Sequence, residues 1–341
     1  MIGNYLHSPN HNRNVWHDLA DRLPELGWSV FTTSTRESPF LRLLDMLWSI
    51  WSKRNHYDIA QIDVFSGRAF TFAEWSARLL HLLRKPFILT LHGGGLPDFA
   101  RVFPGRVKAL LTSASKVVTP SPFMQRSLVT FRPDIIFIPN PIEVTQMRFR
   151  KRRILSPHLI WVRAFHEIYN PVLAVRVINR LREQFPIVKL TMVGPDKQDG
   201  SLERVQLLIK DLGLQANIDL ILGVPSTEIP ILLNTADVFI NTTNYDTAPR
   251  SLIEAMGCGL CVVSTNVGGI PWLVTDEVDG LLVPPDNPTA MTAAVSRLLK
   301  DPTLAETLST NARSKAENYN WNAVLPQWDQ ALIQILEAAR E

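Results

Sequence analysis

Cysteine is scarce in this chain of 341 residues: there are two, Cys258 and Cys261. They lie in an apolar run, Gly257-Cys258-Gly259-Leu260-Cys261, with no second Cys or His pair to complete a zinc set, which points to buried thiols in a reducing compartment. No uninterrupted apolar run approaches the ~18 residues of a spanning helix, and the first residues lack the basic segment and apolar stretch of an export signal. A soluble, cytoplasmic protein is the expectation. A dominant charge is also missing, since 35 Lys and Arg face 32 Asp and Glu for a formal net charge of +3. Nucleic-acid binding needs basic residues gathered on one face, so no nucleic-acid partner is implied.

What is present is apolar bulk. With 46% hydrophobic residues the chain can fill two cores, given domains of roughly 100 to 200 residues. Short apolar runs alternate with helical patterns, which predicts an α/β class with parallel sheets. Strands are expected at 28–32, 59–64, 87–90, 116–119 and 135–138, then at 158–162, 189–193, 218–222, 238–241 and 261–264. Helices fall between them, as at 15–23 and 71–83. The polar, basic Phe149-Arg150-Lys151-Arg152-Arg153 stretch reads as a linker. It separates a first domain, 1–148, from a second, 149–320, leaving 321–341 as a helix that packs back toward the first. Because only Met1 to Tyr5 resemble the end of a first strand, the opening strand is expected to be short or missing, perched at the sheet edge if present.

In Phe40 to Arg54, Leu, Met and Trp recur at helical spacing and Lys53-Arg54 follow. The pattern reads first as a helix packed on its own domain. It is also compatible with peripheral contact on an anionic membrane, at its inner face for a cytoplasmic protein.

Ligands of such folds sit outside the carboxyl ends of the strands, with the cleft between domains the expected place. After the strand ending at Asn241 comes Asp246-Thr247-Ala248-Pro249-Arg250, then a helix carrying Glu254 among apolar residues. Thr247 can cap that helix and Pro249 suits its first turn. Free N–H groups and the dipole at such an N-terminus suit a diphosphate. A carboxylate placed like Glu254 is costly to bury without donors, and the vicinal diol of a ribose supplies two. Taken singly, Glu254 also reads as a solvent-facing helix residue and Asp246 as a loop or capping aspartate.

This run resembles the signature of the family 4 retaining glycosyltransferases (glycosyl transferases group 1, GT-B fold), in which two acids are separated by seven residues. The likeness extends through Val193-Gly194-Pro195-Asp196, Leu222-Gly223-Val224, the Gly268-Gly269 loop, Gly280 to Pro285 and Tyr319-Asn320-Trp321. It implies two Rossmann-like domains and transfer of a hexose-type sugar from a nucleoside diphosphate to a hydroxyl acceptor, whether glycan, lipid-linked or small molecule, in cell-envelope polysaccharide synthesis. In the family the second acid holds the ribose, here Glu254. The first acid, here Asp246, contacts sugar and diphosphate together with Thr247, Ala248 and Pro249. Gly194 and the base-reading turn Gly223-Val224 join them, and Arg163 matches the arginine that meets the diphosphate. By the same resemblance His92, followed by Gly93 and Gly94, lies near the donor sugar on the acceptor side. Asn12 and Arg13, in a polar loop with His7, His11 and Asn14, are assigned to the acceptor.

The chain departs from the family pattern in two places. Asp246 stands where the family usually has Glu followed by Gly and an aromatic residue. The usual lysine after Arg163 is absent, and Ile168, Tyr169 and Asn170 occupy its region, with Asn170 or Tyr169 able to hydrogen-bond in its place. No cofactor or metal is expected. A metal site at His7 and His11 lacks a third ligand in the loop. Two other functions fit the same architecture: a nucleotide-sugar epimerase, and a sugar-nucleotide binding protein with weak catalysis.

Overall fold

The computed structural model describes residues 1–3, 5 and 15–339. They form two compact units, Met1–Pro141 with Asn322–Glu341, and Ile142–Trp321. The division precedes the expected boundary after 148, because Ile142, Val144 and Met147 are buried in the core of the second unit.

In the first unit β1 (Ala60–Val64), β2 (Phe87–Leu91), β3 (Lys116–Thr119) and β4 (Ile136–Phe137) form a parallel sheet in that order. Parallel neighbours need crossovers. These are supplied by α3 (Phe70–Leu82), then α4 (Leu96–Val102) with α5 (Pro104–Ser113), then α6 (Pro122–Leu128). α1 (Val15–Arg22) and α2 (Pro39–Ser52) precede the sheet. Ile62, Val64, Leu89 and Leu91 turn to the core that α3, α4 and α5 cover with Phe70, Leu80, Leu96 and Leu111. A side chain of this kind contributes roughly 1.5 to 3 kcal/mol when fully buried.

The opening segment is not at a sheet edge, as expected, but between two neighbours. Ile2 bridges Thr33 on one side and Ile62 on the other. The strand predicted at 28–32 does not form. Bonds to the opening segment begin at Phe31 O, which accepts from the Met1 ammonium at 2.5 Å, and continue where the Gly3 amide donates to Thr33 O at 2.7 Å and the Ser34 amide to Gly3 O at 2.8 Å. Helix α2 packs on its own unit through Met46 and Ile50, and its opposite face is exposed.

The second unit holds a parallel sheet in the order β10-β9-β8-β5-β6-β7, made from β5 (His158–Val162), β6 (Lys189–Val193), β7 (Ile218–Ile221), β8 (Val238–Asn241), β9 (Cys261–Thr265) and β10 (Leu281–Val283). Alternation along a strand feeds two cores. Leu159 and Trp161 point into one with α7 (Pro171–Leu181), α8 (Ser201–Asp211), α12 (Pro288–Lys300) and part of α13 (Pro302–Glu317). Ile160 and Val162 point into the other with α9 (Ile229–Leu233), α10 (Arg250–Gly257) and α11 (Ile270–Leu273). The last helix, α14 (Trp321–Ala338), belongs to the first unit from Asn322 onward.

The basic stretch read as a linker is part of the second unit. Arg152 is 1% exposed and donates to the carbonyls of Arg150, Ala236 and Cys258. Arg150 meets the buried Asp237 carboxylate at 2.5 Å, with Arg152 Nε 3.5 Å from the same oxygen. Burial lowers the Arg152 pKa to about 10. The physical reason for the correction is that converging carbonyls and one carboxylate solvate this guanidinium in place of water. Cys258 and Cys261 are unpaired and buried, and burial pushes their thiols up to about 11 and about 12.

Candidate active site

In the second unit the sheet order reverses between the parallel neighbours β5 and β8, with β6 and β7 added outward on one side and β9 and β10 on the other, and ligands of open α/β sheets bind at such a point. The carboxyl ends of β8 and β9 carry a buried polar tier. Trp161 Nε1 donates to Thr242 Oγ1 at 2.8 Å, Asn241 Nδ2 to Ser264 Oγ at 2.9 Å and Thr265 Oγ1 to Thr243 O at 2.6 Å. These bonds hold the start of the loop that leads to Asp246.

Arg163 leaves the end of β5, and its Nη2 donates to Asp246 Oδ2 at 2.6 Å. Both side chains are mostly buried, and the guanidinium carbon lies 5.1 Å from the centroid of the Tyr169 ring. The other oxygen, Asp246 Oδ1, accepts from the Thr247 amide at 2.7 Å and the Ala248 amide at 3.2 Å. The two amides assigned to a diphosphate are therefore held by the aspartate itself.

Two glycines make this loop possible. A Cβ on Gly268 would lie 2.1 Å from Asp246 O, and one on Gly269 would lie 1.9 Å from Thr247 O. The Gly269 amide donates to Asp246 O at 2.7 Å. Gly194 serves the same purpose under Arg163, where a Cβ would meet Arg163 O at 1.8 Å. Its role in the fold is thus to admit the backbone that carries the arginine.

Helix α10 begins at Arg250, with Pro249 at its N-cap and no capping side chain. Thr247 is not the cap it was expected to be, because the Asp246 turn places it two residues too early. An uncapped N-terminus leaves amides for an anion. Glu254, 8% exposed, accepts from Arg250 Nε at 2.8 Å. Burial raises its pKa, against the pull of Arg250 and then Arg163. Among the buried polar atoms without a partner here are Arg163 Nε, Asn241 Oδ1 and the hydroxyl of Ser251 in the first turn of α10. Ser251 carried no signal in the sequence beyond its place in that turn.

Asn170 caps α7 through Oδ1, which accepts from the Leu173 amide at 3.3 Å, while Nδ2 donates to Asn244 Oδ1 and Asp286 Oδ1, both at 3.3 Å. It does not contact Arg163 or Asp246 through any of these bonds. Gly223 follows β7 at a φ of +72° with open space around its α-carbon, and Val224 is partly buried beside it.

In the first unit His92 follows β2, and its Nε2 lies 3.0 Å from Asp63 Oδ1 on β1. A carboxylate oxygen can only accept, so the shared proton rides on Nε2. Gln61 Nε2 donates to the same Asp63 oxygen at 2.7 Å and to Thr90 Oγ1 at 2.8 Å. Phe65 and Trp16 lie against the imidazole, each with ring centroids 5.2 Å away. Asp63 Oδ2 has no partner, and a Cβ on Gly3 would sit 2.3 Å from it. Asp63 was missed by sequence reading because it sits inside an apolar strand with no motif around it. Gly93 takes a φ of +80°, and Gly94 follows it in the same turn. Asn12 and Arg13, like His7, His11 and Asn14, lie outside the described residues.

Known proteins resemble the chain on both scores, sequence and fold. The model of the Glycosyltransferase Family 4 matches residues 6–146, and that of the Glycosyl transferases group 1 matches residues 150–315. D-inositol 3-phosphate glycosyltransferase from Salinispora arenicola is 31% identical over 182 residues, 50% of this chain and 41% of that protein. The GDP-mannose-dependent alpha-(1-6)-phosphatidylinositol monomannoside mannosyltransferase from Mycolicibacterium smegmatis is 28% identical over 193 residues, 54% of this chain and 50% of that protein. The chain thus spans about half the length, or less, of these two relatives. The crystal structure of Anabaena Alr3699/HepE in complex with UDP shares the fold with a TM-score of 0.73 at 18% identity, covering 90% of this chain and 86% of that one.

Proposed function

Because the chain belongs to the GT-B glycosyltransferases of the family 4 type, we propose that it moves a sugar from a nucleoside diphosphate to a hydroxyl acceptor with retention at the anomeric carbon. The observation that carries this reading is the Arg163–Asp246 pair at the ends of β5 and β8, followed by an uncapped helix with buried Glu254. The UDP bound by the Anabaena protein supports a nucleotide donor. The names of the curated relatives support a polyol or lipid-linked hydroxyl as acceptor.

In this reading Glu254 accepts two hydrogen bonds from the ribose diol. Arg250, which now holds Glu254, exchanges that contact for the phosphates. Hydroxyls of the donor sugar donate to Asp246, which releases the Thr247 and Ala248 amides toward the diphosphate. The acceptor oxygen then bonds to the anomeric carbon as the bond from that carbon to the diphosphate oxygen breaks. The acceptor proton passes to the departing phosphate on the same face. Arg163, Arg250 and the α10 N-terminus stabilise the charge that develops there, the contribution expected to dominate the rate. With two guanidiniums in that role, the reaction is proposed to run without a metal ion. His92, held by Asp63, belongs to the acceptor side.

The test is a panel of nucleotide sugars scored by thermal shift, followed by transfer assays with polyol and lipid-linked acceptors. A donor that binds only the native state raises its melting temperature. Transfer with an α product from an α donor supports the proposal. An inverted product, or conversion of the donor into its epimer without any acceptor, contradicts it.

A further inference from the structure

The first unit holds a cavity of about 370 Å³, a size within the roughly 300 to 1,000 Å³ of small-molecule pockets. Three aromatic residues line it: Trp16 in α1, Phe65 just after β1 and Phe72 in the first turn of α3. Gly3 and Ala69 also line it, and their small side chains keep it open.

The charged residues of the lining are Arg42 and Asp63. Arg42 is already engaged, its Nε donating to Arg36 O at 2.9 Å and its Nη2 to Glu37 O at 3.0 Å. Asp63 is engaged on one side only. Its Oδ1 takes the bonds from Gln61 and His92, while Oδ2 is buried without a partner. The bare α-carbon of Gly3 keeps that oxygen uncovered, since a Cβ there would stand 2.3 Å from it. A buried carboxylate oxygen without a donor is costly, so the cavity calls for a ligand that donates.

A hydroxyl and an ammonium both donate. An ammonium would share the lining with the Arg42 guanidinium and be repelled by it, whereas a neutral hydroxyl is not. The aromatic residues add a second requirement, because their negative ring faces favour polarised C–H groups set on a flat surface. A sugar or cyclitol ring presents such a surface in a fixed shape, and an open-chain polyol must be ordered to do so.

We propose that this cavity seats a neutral hydroxylated ring, a pyranose or a cyclitol, with one face on the aromatic residues and one hydroxyl donating to Asp63 Oδ2. The ring is the acceptor of the transfer reaction, a role that rests on the function proposed above. Trp16 and Asp63 also border a smaller pocket that His92 lines, so the ring sits beside the imidazole.

The experiment is saturation-transfer NMR of the whole chain with methyl glucoside, myo-inositol, glycerol and ethanolamine in turn, titrated to give dissociation constants. At least one of the two rings should bind, with glycerol and ethanolamine weaker by about tenfold or more. Asp63→Ala should weaken the ring by about tenfold or more. Ala69→Leu, at a partly buried position, fills the cavity while leaving the carboxylate in place and should weaken it as much, which keeps the test decisive if Asp63→Ala does not fold. No ring binding, rings bound no better than glycerol or ethanolamine, or ring binding that Ala69→Leu leaves unchanged overturns the proposal. The thermal shift with nucleotide sugars is read on the same preparations. A donor that binds where no ring does rejects the cavity and leaves the transferase reading standing. Ring binding in a chain that takes no donor supports the ring site and counts against the transfer.

Discussion

Glu254→Gln should weaken donor binding and at the same time stabilise the folded chain. The carboxylate is 8% exposed and its pKa is raised, first by burial, so keeping it charged opposes folding at neutral pH. A raised acid contributes stability that is fully present below its unfolded value of 4.5 and lost as pH climbs through the folded value. Glutamine never bears that charge and can still accept from Arg250 Nε. The variant should match the parent near pH 4.5 and exceed it progressively toward neutral pH. Binding moves the opposite way. A ribose diol makes two charge-assisted bonds to a carboxylate, each worth about 1.5 to 3 kcal/mol, and glutamine keeps one neutral acceptor. A loss of about 2 to 4 kcal/mol corresponds to a roughly 30- to 700-fold rise in donor Kd. Urea unfolding across this pH range and calorimetric titration of the donor identified by the thermal-shift panel measure the two effects. Unaltered donor affinity, or a stability loss of the same size at every pH, refutes the reasoning about Glu254.

Three further outcomes are expected. Asp63→Ala removes the acceptor that fixes the His92 ring, so turnover should drop about ten- to a hundredfold, while the donor-induced rise in melting temperature persists. Gly269→Ala places a Cβ 1.9 Å from Thr247 O and should cost about 2 to 4 kcal/mol in urea unfolding, with donor affinity falling as the Asp246 turn is displaced. Arg152→Ala leaves the buried Asp237 with Arg150 alone among its two guanidinium partners and strips the Cys258 and Ala236 carbonyls of a donor. Stability should fall by about 3 to 5 kcal/mol in the same measurement.

Much of the candidate site could be named in advance because the residues that carry the family resemblance are local. The spacing of Asp246 and Glu254, and the strand that ends at Asn241 before them, are properties of one short segment. Arg163 was named for the same reason, as the match to the family's arginine directly after the apolar run of β5. Asp63 was not. It lies between Ile62 and Val64 in a buried strand, and its meaning comes from His92, which only the β1–β2 register brings within 3.0 Å. The Thr247 cap failed because a competing acceptor, Asp246 Oδ1, takes the Thr247 and Ala248 amides and delays the helix to Arg250.

Local periodicity thus pointed to the α/β class and the parallel sheets without reference to anything distant in the chain, and the family resemblance of one short segment singled out the acidic pair. Alternation of two and of 3.6 residues is written into each segment, so it can be read there. Charge burial cannot be read that way. A run such as Arg150 to Arg153 looks solvated until Ala236, Asp237 and Cys258 converge on it from far along the chain. Whether a charge is paid for by water or by protein depends on which groups arrive around it, and the tertiary structure alone brings them together.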